Sequence, residues 1–225
     1  MKRQSISALL FAFALVCASL GTASAAVTPK PTTAPATAAE QSFVARVTAD
    51  LQKRFGSQRA ASAAGYYRFT DEDDTGAISW VNTKYWKSDP QHPSQLWYDA
   101  KGRLIGVDLS VPKSDSATAP NLWGISPSRW ITFRKHVHFG VKNASGLTYG
   151  GVGPLKISKA GGNPDRPTAN DVVKLHRAKS TGDVAFVFVF PAIWDLQFWL
   201  VPNPNGPFAE RNPNVIPSKA PKSAM

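Results

Sequence analysis

The chain has 225 residues, with 26 lysines and arginines against 15 aspartates and glutamates, for a net charge of +11. A balance that basic favours acidic partners. The basic residues form no run of five or more and no recognisable nucleic-acid module, so a specific nucleic-acid binder is not expected. The single cysteine, Cys17, falls in the first 25 residues and excludes cysteine chemistry from the rest.

Those first 25 residues predict a destination. Lys2 and Arg3 give a basic start, Ala8 to Leu20 a short apolar run, and Ala23-Ser24-Ala25 a small-x-small cleavage pattern. Residues 1–25 are therefore read as a signal peptide, and the protein as exported to the periplasm or the extracellular medium. Cleavage leaves about 200 residues, enough for one sizeable domain. With no cysteine left, that domain has no disulfide, no cysteine-zinc site and no thiol nucleophile, and packing alone must hold it. No later segment approaches the ~20 apolar residues of a membrane span.

Residues 26–39 are dominated by Pro, Thr and Ala and are read as a flexible spacer. A single α+β domain is expected over residues 40–203. Phe43, Val47, Leu51 and Phe55 recur at i+4, which predicts an amphipathic helix that Gly56 stops. The pattern then changes to period two. Ile78 and Trp80 alternate in one strand. Leu96 to Tyr98 and Arg103 to Val111 form a hairpin across Asp99-Ala100-Lys101-Gly102, with Gly102 left-handed. In its second arm Ile105, Val107, Leu109 and Val111 are expected on one face, with Asp108 and Ser110 on the other.

Phe133 to Lys142 reads as one continuous strand. Leu155 and Ile157 alternate with Lys156 and Ser158 in another. Thr168 with Asp171 three residues on predicts the N-cap of a short helix to about Ala178. Val184 to Phe190 is an unbroken apolar run, expected as a central strand buried on both faces, in the same sheet as Ile105 to Val111. Trp194 to Val201 follows as a strand. Residues 204–225, rich in Pro and Asn, predict an irregular tail, with Phe208 as an anchor. The predicted fold is a mainly antiparallel β-sheet or partly closed barrel, with an N-terminal amphipathic helix and one short later helix.

Three stretches invite chemical readings. His136-Val137-His138 places two imidazoles on one strand face, which suits a divalent metal ion if a third ligand joins them. His92, His176, Asp108 and Asp195 are the candidates. Arg134 and Lys142 share that face and oppose a cation there. Asp71 to Gly76 resembles a calcium loop at its start, but Asn82 stands where the bidentate glutamate is needed. Thr148 to Gly153 has the glycines of a phosphate cradle without its Gly-Lys-Ser/Thr ending or its strand-to-helix setting, so close backbone packing is the better account. No Gly-x-Ser-x-Gly elbow and no His-Glu-x-x-His motif is present.

Seven tryptophans are many for this length, and several sit beside polar residues. Trp86, Trp97, Trp194 and Trp199 are the candidate lining of an aromatic cleft for a small molecule. The sequence thus supports three readings: a small-ligand binder with an aromatic cleft, a metal-dependent enzyme using the His-x-His pair, and a basic binder of polyanions in the cell envelope. It assigns no substrate and no oligomeric state.

Overall fold

The computed structural model describes residues 34–218. The predicted signal peptide, residues 26–33 of the spacer and residues 219–225 lie outside the described residues.

The first helix, α1 (Ala38–Phe55), begins inside the segment read as spacer. Its start is set by a capping box. The Thr37 hydroxyl accepts from the Glu40 amide at 3.2 Å, and the Glu40 carboxylate accepts from the Thr37 amide at 2.9 Å. A buried ion pair then anchors this end. Arg129 donates to Glu40 at 3.1 Å and to the carbonyls of Ala34 and Pro35 at 2.9 and 3.0 Å. Residues 34–39 are thus part of the folded unit. Phe43, Val47, Leu51 and Phe55 form the buried stripe the spacing predicts.

After α2 (Gln58–Ala63) the chain builds two antiparallel sheets and no closed barrel. The larger has six strands in the order β1-β2-β3-β4-β9-β5. These are β1 (Tyr67–Arg68), β2 (Ile78–Val81), β3 (Gln95–Tyr98), β4 (Leu104–Pro112), β5 (Trp130–Phe133) and β9 (Ile193–Trp199). The smaller has the order β7-β6-β8, from β6 (His136–Asn143), β7 (Gly146–Val152) and β8 (Val184–Phe190). The fold is α+β in four layers. Helix α1 packs on one face of the large sheet, against Leu96, Val107, Leu109 and Phe198. The opposite face meets the small sheet through Phe69, Val81, Phe188, Phe190 and Ile193. Two short helices, α3 (Pro154–Lys159) and α4 (Ala169–Lys174), cover the outer face of the small sheet through Ile157 and Val172.

The predicted hairpin is β3–β4. Gly102 has φ of +80°, and its amide donates to the Asp99 carbonyl at 2.9 Å. A bulge shifts the register beside Trp97 and Tyr98, placing Ile105 with Trp97 and Trp199, away from Val107.

Four expectations are corrected. Strand β4 is the doubly covered one, buried from Leu104 to Val111, because α1 covers one face and Trp97, Trp199 and Val215 pack on Ile105 at the other. Strand β8 is an edge of the small sheet, so the two strands do not share a sheet. Phe133 to Lys142 is not one strand, since the chain leaves the large sheet after Phe133 and enters the small one at His136. Residues 154–159 form α3, with Pro154 in the first helical turn, leaving Ile157 buried and Leu155 exposed.

Residues 204–218 lack regular structure but pack down. Phe208 is buried against Phe198 and beneath the Arg129 guanidinium, and Val215 joins Ile105 and Trp199.

Candidate functional site

His136 and His138 lie on the face of β6 that turns toward the large sheet. Their Nε2 atoms are 2.9 Å apart. His136 Nδ1 lies 2.7 Å from the Arg134 carbonyl, which can only accept, so that nitrogen carries the proton. The surroundings are aromatic. His136 stacks on Phe190 with ring centroids 4.5 Å apart, and His138 stacks on Phe188 and meets Phe69 edge-on. Burial pushes the His138 imidazole down to about 3. Its neighbour His136 adds to the shift, and the Gly150 backbone opposes it. Burial also lowers His136, against the pull of the Arg134 carbonyl. The pair is therefore uncharged at neutral pH. The two rings are half-buried in the seam between the sheets, while Arg134 and Lys142 on the same strand face are exposed.

Of the candidate third ligands, Asp195, Asp108 and His92 are elsewhere, and His176 lines the groove that the pair also lines. Asp195 lies in β9 of the large sheet, where its Oδ1 accepts from Ser110 Oγ at 2.9 Å. Asp108 accepts from the Trp97 indole at 3.1 Å. His92 faces Asp89 at 2.7 Å. His176 follows α4 with φ of +55°. Among the described residues, no group of three or more His, Cys, Asp or Glu side chains is arranged to hold a metal ion.

The acidic segment is a built turn. Asp73 Oδ1 accepts from the Thr75 and Ala77 amides, Asp74 pairs with Arg211, and Glu72 accepts from Ser218. These carboxylates fasten the C-terminal segment to the β1–β2 connection.

The four candidate tryptophans do not line one cleft. Trp97 and Trp199 meet edge-on, and Trp199 donates to the Ala209 carbonyl at 2.7 Å. Trp194 donates to the Ser116 carbonyl at 3.0 Å and carries Lys113 over its ring. Trp86 packs on Phe190 in the seam between the sheets. These contacts are those of packing residues.

The concave feature of the small sheet is a groove of about 1790 Å³ along β6 and β7. His136, His138 and Tyr149 line it, and so do Arg134, Lys135, Lys142, Lys156, Arg177 and Lys179. Asp183 is the lone acidic side chain in the lining, and its carboxylate accepts from Ser180. Of the six cations, Lys135 pairs with Asp165. The rest form no salt bridge among the described residues.

This concentration accounts for the net charge of the described residues. Residues 134–190 hold nine lysines and arginines and three aspartates, a net charge of +6. The other described residues, 34–133 and 191–218, hold twelve basic and twelve acidic side chains and are neutral together. Sequence reading missed Lys156, Arg177 and Lys179 because it sought a linear basic run. The usable signal was charge per structural unit.

Glycine shapes the sheet that carries the groove. A Cβ on Gly150 would stand 2.6 Å from the Phe139 ring, and one on Gly140 would stand 2.4 Å from the Phe186 ring. These glycines let bulky rings cross the sheet surface, as close backbone packing requires.

The chain matches no known protein family, no curated protein and no solved structure.

Proposed function

We propose that this protein is an exported binding module that holds a polyanion in the basic groove of its small sheet. The carrying observation is the division of charge, with the net positive charge of the described residues confined to residues 134–190 and six of its nine cations lining one groove. A cationic segment beside an otherwise neutral described body focuses the field at one place.

The spacing of the charges speaks for a chain over a single small anion. Arg134 and Lys142 stand at opposite ends of β6, in which His136 to Lys142 alone spans roughly 20 Å at 3.3 Å per residue. Lys156, Arg177 and Lys179 stand on the side covered by α3 and α4. The neutral histidines add hydrogen-bonding capacity but no charge.

The test is binding of a labelled polyanion, heparin or polyglutamate, across a salt series. Each cation neutralising an anionic group adds to the salt dependence. The mature protein should bind at low salt and weaken steeply with added salt. Lys142→Glu with Lys179→Glu should weaken binding at least about tenfold, since two reversals cost more than the ~1.4 kcal/mol of one decade. Binding unchanged in that variant, with its fold intact by circular dichroism, would refute the groove.

A further inference from the structure

We infer that the free edge of β7 accepts an extended acidic peptide as an added strand. The inference rests on the polyanion reading of the groove and specifies the ligand.

Strand β7 ends the order β7-β6-β8, so one side of its backbone has no strand partner among the described residues. Proteins usually block such an edge with a charge, a proline, a short strand or a cover. The seven residues of β7, Gly-Leu-Thr-Tyr-Gly-Gly-Val, carry neither charge nor proline. Gly146, Leu147, Thr148 and Gly151 are exposed. The other edges differ. β1 has two residues and β5 has four, while in β8 Ala185 alone is exposed. The open edge thus coincides with the basic groove.

The charges flank this edge on both sides. Alternation along the β6–β7 pairing puts Lys142 on the histidine side of the sheet. Lys156, Arg177 and Lys179 lie on the helix side. A strand laid along β7 sends successive side chains to opposite faces. Acidic residues on either face of the peptide would then meet cations. Strand addition of this kind takes affinity from main-chain hydrogen bonds and specificity from alternate side chains.

Other polyanions fit less well. Single-stranded nucleic acid binds where aromatic planes interleave with positive charge. No tryptophan lines this groove, and its Tyr149 ring already carries the Arg68 guanidinium 5.1 Å from its centroid. An anionic polysaccharide has no regular amide ladder to pair with a strand edge.

The test uses the mature protein and three probes. These are a ten-residue peptide of alternating Glu and Thr, the same peptide N-methylated at alternate residues, and inorganic polyphosphate. Hydrogen exchange of residues 147–152 is followed with each. The plain peptide should bind and slow exchange in β7. N-methylation keeps the charge but removes main-chain donors, so it should weaken binding about tenfold or more, two lost bonds at roughly 1 kcal/mol each. Equal binding of both peptides, or binding without protection of β7, overturns strand addition. In that outcome retained salt-dependent binding of polyphosphate leaves the groove reading standing. Failure of all three probes to bind at low salt overturns both.

Discussion

His136 and His138 show how far a residue's surroundings determine its role. Sequence placed them two apart on a strand, which was right. It did not show that the two rings are half-buried, since Arg134 and Lys142 on the same face are exposed. The deciding neighbours, Phe69, Phe188 and Phe190, lie far away in sequence, and the fold brings them onto the rings. Burial makes the pair a source of acid sensitivity. The His138 imidazole has a folded value of about 3 against a usual 6.5. Between those values the unfolded chain binds a proton that the folded protein refuses. Stability therefore falls as pH drops through this window. From pH 6.5 to 4.5 the expected loss from this residue is about 2 kcal/mol. Denaturant melts at both pH values should show a clearly smaller loss in His138→Phe, which cannot titrate. An identical loss in both proteins would mean that His138 is solvated.

Elements were legible where one local pattern settled them. The i+4 stripe of α1, the Asp99-to-Gly102 turn and the Thr168–Asp171 capping box all appear in the structure. Errors arose where tertiary placement decides. The run from Val184 to Phe190 is apolar because one side meets the large sheet and the other meets the residues over α3 and α4, although the strand is an edge. Strand β4 reads as amphipathic because Asp108 and Ser110 satisfy polar partners inside the protein. Residues 154–159 are short enough to fit either period, and Pro154 favours the helix. That difference can be measured. A strand would place Leu155 and Ile157 side by side, whereas α3 leaves Leu155 66% exposed and Ile157 1% exposed. Ile157→Ala should cost about 2–5 kcal/mol in chemical denaturation, and Leu155→Lys should change stability by less than about 0.5 kcal/mol. Comparable losses at both positions would contradict the helix.

For the whole molecule, the organising feature is a cationic segment, residues 134–190, joined to a remainder that is neutral among the described residues. The total charge was plain in the sequence. Its location was not, because the approach to β6, β6 itself, α3 and the turn after α4 bring together cations that are well separated along the chain. A charge located this way predicts local contact, whereas a merely basic protein would be covered all over. Lysine acetylation footprinting, with and without polyglutamate, separates the two cases. Lys142, Lys156 and Lys179 are exposed and line the groove, while Lys53, Lys101 and Lys113 are exposed elsewhere. Polyglutamate should protect the first three and leave the second three reactive. Even protection of all six, or protection of Lys53, Lys101 and Lys113 alone, would contradict a polyanion site on the small sheet.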